Sequence, residues 1–588
     1  MKIKINRNIL WCDVFTNRLS QLGVKDVCIS AGSRSTPLTL SFNMNKNFSI
    51  YRFVDERSSA FFALGMAKKT RNPIAIVTTS GTAVAELYPA IIEAYYQRIP
   101  LIICTADRPN YLKNIGANQT INQNNIYSNH IRFFSDAGLP DINKLGVIRK
   151  IAEDAFIIDH QKNRGPVHIN FPFEKPFEPD SFTDSINENS IKKYFLSAKV
   201  QLKDNLKLPD FDLIAKNLDN KKGIILVGSN GFDKDFPDLL MRLSNKLNFP
   251  IVVDGASSLR FGKHVNKNII DNFTTIVRSK IFVENFQPEV ILQFGAAPTS
   301  NVVLEYFKNS TAQKIIVNQF GDLLDPSRTA NKIIKIKPSI FCKELLKKAG
   351  NNLSQKSWKN FFIHSNEVIE KEKEKFFSKN NFPFESKIIY ELLRNIPNKS
   401  NLFVSNSLPI RDFDFFASKS KKGIKIFTNR GASGIDGINS TALAIAHKSN
   451  GPTFLVTGDL AFFHDLNGLF ASYKYKIPIT IVLINNNGGG IFESLPISNY
   501  KEHFEENFLM PLNLNFKKIV ESYNGIHKVI KNWKRFTLEL NNSQQSGKLT
   551  VLEIKTDAKK SKDLRNNFWH IAVEHLNNYI NEIKSWWN

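Results

Sequence analysis

One stretch near the C-terminal end constrains the fold of this chain more than any other. Two short apolar segments, 455–457 and 479–484, end in the polar runs Gly458-Asp459-Leu460 and Asn485-Asn486-Asn487-Gly488-Gly489-Gly490, and residues 464–475 between them predict a helix. A strand, a helix and a second strand in this order form a βαβ unit. The polar ends of both strands should therefore lie at the carboxyl edge of a parallel sheet, where open α/β sheets bind ligands.

The residues at this edge suit a hard divalent cation. Asp459 offers a carboxylate and Asn486 an amide oxygen, which are ligands that Mg²⁺ accepts and often shares with substrate phosphates. The neighbouring glycines allow close backbone approach and offer N–H and C=O groups to the ion and its anion. The alternative is an ordinary βαβ turn in which the glycines serve only the backbone geometry.

Length and composition indicate a globular protein of several domains. The chain has 588 residues, of which 42% are hydrophobic, and single cores rarely grow beyond about 250–300 residues. We find no apolar run of roughly 18 residues, as a membrane-spanning helix needs, and residues 1–8 lead into no signal-peptide core. Cys12, Cys28, Cys104 and Cys342 form no metal-ligand pattern, and Cys28 and Cys104 should be buried. A cytoplasmic protein is expected.

The net charge of +25 and the pI near 9.6 raise nucleic acid as a partner. The lysines, however, are scattered among asparagines along the whole chain, and no zinc finger, RNP-type aromatic pair or basic zipper is visible. A solvated basic surface, which also helps to draw in small polyanionic substrates, explains the charge without a nucleic-acid partner.

Strand and helix signals alternate along the chain and divide it into three α/β segments. Short apolar strands followed by glycine- or serine-rich turns and helices favour mainly parallel sheets flanked by helices. We predict domains at 1–185, 205–350 and 380–588, with a polar linker across 173–209 and an exposed, lysine- and glutamate-rich helix across 354–381. The middle domain should be Rossmann-like, but residues 223–228 lack a full dinucleotide fingerprint, so neither NAD nor FAD is predicted.

Charged side chains follow the predicted strands of the first segment. Arg34 lies in a turn of small residues that leads into a predicted helix. There it either forms part of a carboxylate-binding pocket or is an ordinary surface arginine. Glu56 precedes a helix predicted over 60–69, where it either serves a site or favours the helix dipole. Arg108 is predicted to be an exposed arginine at the end of a strand. His168 alternates with apolar residues, which favours a buried core histidine.

Several motifs occur in order at spacings that resemble one family of thiamine-diphosphate enzymes. These are GSRSTPLT at 32–39, DERS at 55–58, TSGTAVAELYPA at 79–90, TADRP at 105–109, GANQT at 116–120, NRGASGIDG at 429–437 and IFESLP at 491–496. Together with the Gly-Asp and Asn-Asn pair, they are similar to the 2-succinyl-5-enolpyruvyl-6-hydroxy-3-cyclohexene-1-carboxylate synthases of menaquinone biosynthesis. The resemblance is dense in the first and third segments and weak in the middle one. It implies a pyrimidine-binding domain, a central domain and a diphosphate-binding domain.

The resemblance implies thiamine diphosphate and Mg²⁺, with Mn²⁺ as a possible substitute, as cofactors. The implied metal ligands are Asp459, Asn486 and Gly488, and Glu56 is the implied catalytic carboxylate that hydrogen-bonds the cofactor's pyrimidine. Further implied cofactor contacts are Ser407, Ile435, Gly458, Asp459, Leu460, Asn486, Ile491, Phe492 and Leu495. Because this chain has Gly-Asp-Leu where many members have Gly-Asp-Gly, that motif alone is only moderately specific.

The implied substrates are 2-oxoglutarate and isochorismate, both dicarboxylates that require fixed cations. Four arginines, Arg34, Arg108, Arg411 and Arg430, lie at strand ends or in the loops after them, and arginine pairs carboxylates bidentately. The resemblance assigns Arg34 and Arg108 to isochorismate, and Arg411 and Arg430, with Ser407, to the part derived from 2-oxoglutarate.

The resemblance implies two further polar contacts and leaves the roles of Asn301 and His464 open. Asn118 and Gln119 would add polar contacts to substrate or cofactor. Asn301 occupies the position near which some members carry a substrate-binding lysine, so that contact stays open. His464 has no implied acid–base role and could equally be a core residue.

The resemblance also implies a homodimer at least, or a homotetramer, in which Glu56 and Asp459 of different chains act on one cofactor. The nearest alternative is another thiamine-diphosphate lyase or carboligase, which would not need four carboxylate-binding arginines. Two further alternatives are a basic nucleic-acid-binding α/β protein, recognisable by steeply salt-dependent binding, and an inactive homologue. The presence of both Glu56 and Asp459 argues against the last.

Overall fold

The computed structural model describes residues 2–198, 208–229, 232–352 and 355–587, with the side chains of all of these except 161, 162 and 584–587. The chain separates into two compact units. The first comprises Met1–Lys203, Asn429–Asn450 and Ala461–Ile479; the second comprises Asp204–Thr428, Gly451–Leu460 and Thr480–Asn588. Within the described ranges, no helix is both long and apolar enough to cross a membrane.

The N-terminal region is built around a six-stranded sheet in the order β3-β2-β4-β5-β7-β6, all parallel, and a small antiparallel pair of β1 with β8. Its strands are β1 (Lys2–Ile5), β2 (Asp26–Ser30), β3 (Ser49–Arg52), β4 (Ile74–Thr78), β5 (Leu101–Asp107), β6 (Phe133–Asp136), β7 (Val167–Pro172) and β8 (Asp184–Asn187). Its helices are α1 (Arg7–Leu22), α2 (Thr36–Met44), α3 (Glu56–Thr70), α4 (Thr82–Glu86), α5 (Tyr88–Gln97), α6 (Leu145–Ile157) and α7 (Glu188–Phe195). Strands β2, β4, β5 and β7 are buried along their whole length, as parallel strands covered on both faces must be.

The middle region contains a second six-stranded parallel sheet, in the order β11-β10-β9-β12-β13-β14. Its strands are β9 (Gly223–Val227), β10 (Ile251–Val253), β11 (Ile269–Ile270), β12 (Val290–Phe294), β13 (Gln313–Asn318) and β14 (Ala330–Lys335). Its helices are α8 (Phe211–Leu218), α9 (Phe236–Leu247), α10 (Phe273–Ile276), α11 (Lys280–Asn285), α12 (Asn301–Lys308), α13 (Pro338–Lys348) and α14 (Lys356–Lys379). Two separate apolar clusters cover the two faces of this sheet.

The C-terminal region contains the third sheet, in the order β16-β15-β17-β18-β20-β19. Its strands are β15 (Asn401–Val404), β16 (Lys425–Phe427), β17 (Thr453–Gly458), β18 (Ile479–Asn485), β19 (Ile526–Val529) and β20 (Leu549–Lys555). Its helices are α15 (Glu385–Asn395), α16 (Leu408–Phe416), α17 (Ile438–His447), α18 (Asp459–His464), α19 (Phe470–Tyr475), α20 (Lys501–Phe504), α21 (Phe516–Ser522), α22 (Trp533–Gln545) and α23 (Ala558–Trp587). Strand β17 pairs in parallel with β15 and β18. The predicted α/β class, with mainly parallel sheets flanked by helices, is therefore confirmed.

Some predicted elements differ in their bounds. Helix α3 begins at Glu56 and not at residue 60, because the Asp55 side chain caps it by accepting a hydrogen bond from the Ser58 N–H at 2.8 Å. The helix predicted over 464–475 instead comprises α18, which begins at Asp459, a short 3₁₀ turn and α19.

The two predicted connecting segments are also more ordered, or more buried, than their composition indicates. Part of the proposed linker across 173–209 forms β8 and α7, and β8 is held by pairing with β1; residues 199–207 lie outside the described residues. Helix α14 is a helix as predicted, but its Lys359, Glu372 and Lys373 are buried, against the expectation of exposed charges. The domain boundaries themselves remain a prediction.

Candidate active site

The ends of β17 and β18 bring the predicted metal ligands together. Gly458 pairs with Ile484 in the parallel ladder, so the residues that follow each strand lie at the same edge of the sheet. Asp459 is 2% exposed. Its Oδ2 accepts a hydrogen bond from the Gly488 N–H at 2.9 Å, and its Oδ1 accepts one from the Leu460 N–H at 2.8 Å. The carboxylate is thereby fixed beside the asparagine-glycine run.

Asn486 presents one end of its amide to Glu385, while the other end meets no hydrogen-bond donor among the described residues. Its Nδ2 donates to Glu385 Oε1 at 2.9 Å. Its Oδ1 is buried and accepts no hydrogen bond from the part of the chain that the structure describes. Buried polar atoms in native proteins are almost always paired, so this amide oxygen is available to a ligand.

Backbone geometry at Gly488 allows this arrangement. Its φ is +143°, and a Cβ atom there would lie 2.0 Å from Leu509 O. Only glycine fits such a position without strain. The close approach is maintained by a hydrogen bond from the Gly489 N–H to the same Leu509 carbonyl at 2.6 Å.

These groups fit a divalent cation with oxygen ligands. A buried carboxylate, an amide oxygen lacking a donor and a backbone carbonyl form the kind of set that Mg²⁺ or Mn²⁺ uses beside a diphosphate. Burial raises the pKa of Asp459 to about 6, although backbone N–H groups of Gly488, Leu460 and Asn487 act in the opposite direction; a bound cation would favour the ionised form. Among the described residues, no cluster of three His, Cys, Asp or Glu side chains could hold a metal instead.

The predicted apolar cofactor contacts follow directly on this edge. Ile491 and Phe492 are half-buried and Leu495 is exposed, and they lie in or just after a 3₁₀ turn, Gly490–Ser494. The Phe492 ring packs against Phe508 with their centroids 5.4 Å apart. These three side chains therefore follow the predicted metal ligands closely in the sequence, and each of them is partly accessible to a ligand.

Glu56 lies in a cleft of about 310 Å³ in the first compact unit, which it shares with Ile29, Ser30, Ala31, Thr39, Arg52, Phe53 and Val54. It is half-buried at the first turn of α3. Burial raises its pKa, and the nearby carboxylates of Asp55 and Glu86 raise it further. A carboxylate at the wall of a cleft and partly removed from water can form a strong hydrogen bond to a bound heterocycle.

Arg34 and Arg108 lie close enough for their charges to interact. Arg34 Nη1 donates to the Phe173 carbonyl at 2.7 Å, and its guanidinium lies 4.8 Å from the centre of the Phe177 ring. Burial lowers the pKa of Arg34, and the Arg108 charge lowers it further. Arg108 was predicted to be exposed, which is wrong: it is buried, and its guanidinium contacts the Ser80 hydroxyl.

The polar loop after β5 contributes one residue that sequence reasoning missed. Asn118 and Gln119 are exposed, and Gln119 Nε2 approaches Ser80 O at 3.4 Å. Gln123, by contrast, is fully buried and bridges the Gly81 N–H and the Ala106 carbonyl, at 3.1 Å each. No local pattern distinguishes Gln123 from its polar neighbours, because its role depends on segments that meet only in the fold.

Arg411 and Ser407 belong to the second compact unit. Arg411 Nη1 donates to the Ser407 carbonyl at 2.7 Å, one helical turn back. Ser407 has φ +71° and ψ −132°, a conformation that non-glycine residues rarely adopt. Such strain is commonly maintained at functional sites, although it does not by itself assign a ligand.

Arg430 and Ile435 belong to the first compact unit and are half-buried. The loop between them is held by Glu93, a residue missed from the sequence. Glu93 Oε1 accepts a hydrogen bond from the Gly431 N–H at 3.0 Å, and its Oε2 accepts one from the Ala432 N–H at 2.7 Å. Glu93 also forms a buried ion pair with Lys68, so this loop is anchored at a fixed charge.

The two histidines considered from the sequence, His168 and His464, differ in their burial, and the cysteines are buried. His168 is fully buried, as predicted, and its Nε2 lies 2.7 Å from Thr105 Oγ1. His464, considered as a possible core residue, is exposed instead, because α18 begins at Asp459 and turns that side chain to solvent. Asn301 is exposed at the start of α12. The four cysteines are free and buried, which confirms the expectation for Cys28 and Cys104.

Comparisons with known proteins identify all three regions. Residues 12–126 match the family model described as "Thiamine pyrophosphate enzyme, N-terminal TPP binding domain". Residues 191–404 match "Middle domain of thiamine pyrophosphate", and residues 425–554 match "Thiamine pyrophosphate enzyme, C-terminal TPP binding domain". The three matches confirm the predicted three-domain architecture and the dependence on thiamine diphosphate.

Curated relatives are similar over nearly the whole chain. Proteins named 2-succinyl-5-enolpyruvyl-6-hydroxy-3-cyclohexene-1-carboxylate synthase from Bacillus cytotoxicus and Geobacillus kaustophilus are 37% and 36% identical, each covering 95% of this chain and 96% of the relative. One of the same name from Trichodesmium erythraeum is 35% identical over 94% of this chain and 96% of its own length.

A solved structure shares the fold. The thiamine diphosphate-dependent 4-hydroxybenzoylformate decarboxylase of Rhodococcus jostii RHA1 aligns with a TM-score of 0.68, covering 93% of this chain and 99% of that chain, at 13% identity. At that identity the likeness supports the architecture alone.

Proposed function

This chain belongs to the 2-succinyl-5-enolpyruvyl-6-hydroxy-3-cyclohexene-1-carboxylate synthase family of thiamine pyrophosphate enzymes, and we propose that it catalyses the reaction for which its relatives are named. In that reaction 2-oxoglutarate loses CO₂ and the remaining four-carbon succinyl unit is joined to isochorismate. The pathway supplied would be menaquinone biosynthesis. The observation that carries the proposal is the buried Asp459 carboxylate together with Asn486 Oδ1, which lacks a hydrogen-bond donor among the described residues, on a chain similar to these synthases over 95% of its length.

Asp459, Asn486 Oδ1 and the Gly488 carbonyl would hold Mg²⁺ or Mn²⁺ against the cofactor's diphosphate. Their placement at the end of two adjacent parallel strands supports this role, because the sheet fixes the separation of the two segments. Ser407, Gly458, Leu460 and the apolar residues after Gly490 would complete the cofactor contacts. When bound, thiamine diphosphate supplies a carbon nucleophile and an electron sink for the decarboxylation of a 2-oxo acid.

Glu56 would act as the catalytic carboxylate. Its position at the wall of a cleft allows it to hydrogen-bond a ring nitrogen of the bound cofactor, and its shielding from water strengthens that bond. Arg34 and Arg108 would bind isochorismate, since two neighbouring guanidinium groups suit a dicarboxylate. Arg411 and Arg430 would bind the part derived from 2-oxoglutarate, and Asn118 and Gln119 would add polar contacts.

The assembly would be a homodimer or a larger homo-oligomer in the cytoplasm. Glu56 of one subunit and Asp459 of another would serve the same cofactor, as the family resemblance implies. Analytical ultracentrifugation with and without thiamine diphosphate and Mg²⁺ measures this directly. A monomer that turns over both substrates would contradict it.

CO₂ release from 2-oxoglutarate, with Mg²⁺ and thiamine diphosphate, tests the function. The wild-type chain should consume isochorismate together with 2-oxoglutarate, and Glu56→Gln should lower turnover at least about 100-fold, as the loss of an acid–base group usually does. Glu86→Gln is the matched control, because Glu86 is an exposed carboxylate whose charge reaches Glu56. Turnover of pyruvate without any use of isochorismate would assign the chain to another reaction of the same cofactor.

A further inference from the structure

A buried chain of charges lies directly behind Asn486. Glu385, at the start of α15, accepts the Asn486 Nδ2 hydrogen bond on its Oε1, and the same oxygen accepts one from Thr556 Oγ1 at 2.9 Å. Its other oxygen, Oε2, accepts from Arg565 Nη2 at 2.6 Å. Arg565 in turn binds Asp412 through Nε at 2.7 Å and Nη2 at 2.6 Å.

Because these side chains are buried, their polar atoms must find hydrogen-bond partners among one another. Glu385 and Asp412 are each 1% exposed and Arg565 is 4% exposed, so water cannot compete for their polar atoms. Arg565 offers only donors, so the Glu385 oxygen that it contacts must accept. The other Glu385 oxygen accepts from both Asn486 and Thr556.

An asparagine amide can point either its oxygen or its nitrogen at a ligand, and only the oxygen can bind a cation. The acceptor supplied by Glu385 binds the Nδ2 end of Asn486. The Oδ1 end is thus left facing away from Glu385, and it is the buried oxygen that lacks a partner among the described residues. The orientation of the amide is consequently set by Glu385 and not by the metal alone.

We propose that Glu385 is a positioning residue that presents Asn486 Oδ1 to the divalent cation, and that Arg565 fixes Glu385 in place by binding its other carboxylate oxygen. This inference rests on the proposed metal site. It goes beyond that site in assigning a role to a buried pair, Glu385 and Arg565, that lies outside the proposed set of metal ligands. Partners of metal ligands commonly change metal affinity 10- to 100-fold when they are replaced.

Glu385→Gln tests the proposal because it should invert the Asn486 amide and thereby weaken Mn²⁺ binding. Arg565 still requires an acceptor, so the glutamine oxygen should turn to Arg565 and its Nε2 should face Asn486. Two NH₂ groups cannot bond each other, so the Asn486 amide should invert and point its nitrogen at the cation. The Kd for Mn²⁺, measured by electron paramagnetic resonance on the metal-free full chain with saturating thiamine diphosphate, should rise at least about tenfold.

Asp412→Asn is the matched control, since Asp412 contacts the same Arg565 but not Asn486. Its Kd for Mn²⁺ should stay within about threefold of wild type, although both variants lose one buried carboxylate. Thermal unfolding of both variants separates a loss of folding from a loss of metal affinity.

The double variant Glu385→Gln with Asn486→Asp provides a rescue that a merely structural role would not produce. Aspartate has oxygen at both ends, so it can accept from the amide of the introduced glutamine and still offer an oxygen to Mn²⁺. The double variant should recover most of the Mn²⁺ affinity, whereas Asn486→Asp alone sets two carboxylates against each other. Equal Kd values for wild type and Glu385→Gln would overturn the inference. Failure of the wild type itself to bind Mn²⁺ would instead refute the proposed metal site.

Discussion

Replacing Gly488 with alanine tests whether the backbone at the end of β18 is as tightly constrained as the structure indicates. The new Cβ would lie 2.0 Å from Leu509 O and 2.9 Å from Leu509 C. Because Cβ atoms do not approach other atoms closer than 3.0 Å, one segment must move by about 1 Å relative to the other. Backbone strain of this kind costs roughly 1–3 kcal/mol, and overpacking costs about another 1–3 kcal/mol. We expect the free energy of unfolding to fall by about 2–6 kcal/mol.

Urea unfolding of the full chain, followed by tryptophan fluorescence, measures this loss. Gly458→Ala is the control for stability, because Gly458 ends β17 at the same edge and a Cβ there meets nothing within 4 Å. The Gly488→Ala variant should also bind Mn²⁺ more weakly, since a shift of that size breaks the 2.9 Å hydrogen bond from the Gly488 N–H to Asp459. If both alanine variants unfold at the same urea concentration, the steric reasoning is wrong.

Two other predictions concern single side chains in the first compact unit. Burial lowers the pKa of His168 to about 3, below its value of about 6.5 in an unfolded chain. Only the unfolded state binds the proton between these values, so the free energy of unfolding falls by about 1.4 kcal/mol per pH unit as the pH drops below about 6.5. His168→Gln should remove this pH dependence in urea unfolding at pH 7, 6 and 5. Parallel curves for wild type and variant would contradict the assignment. Arg34→Lys should lower kcat/KM for isochorismate about 10- to 100-fold, because lysine cannot form the bidentate, charge-assisted hydrogen bonds of arginine, and should change CO₂ release from 2-oxoglutarate alone less than about twofold. Equal losses in both assays would remove Arg34 from the isochorismate site.

The strand ends that form the candidate metal site could be predicted because the signal is local. A short apolar run followed by Gly-Asp or Asn-Asn-Asn-Gly contains both the strand and its termination, and β17 and β18 end at Gly458 and Asn485. Helix starts were less predictable. The cap at Asp55 begins α3 before the apolar periodicity is visible, so a reading based on periodicity starts the helix four residues late.

Contacts between distant segments could not be predicted from one sequence. Glu385 lies 101 residues before Asn486 and meets it only because α15 packs near the end of β18. Arg108 is buried, and its guanidinium contacts the hydroxyl of Ser80, which lies 28 residues earlier in the sequence. Strand β11 has two residues, too few for any period to register. The chemistry of single residues is thus readable from the sequence, whereas their supporting partners are not.

The two hydrogen bonds from the loop after β16 to Glu93 limit how the substrate selectivity of this enzyme could be changed by design. One carboxylate on α5 holds the backbone of Gly431 and Ala432, between a predicted substrate residue, Arg430, and a predicted cofactor residue, Ile435. Any change that moves this anchor would shift both contacts together, so affinity for cofactor and selectivity for substrate would vary as one trait. Libraries that aim to alter substrate choice should therefore vary the side chain at 430 and leave Glu93 unchanged.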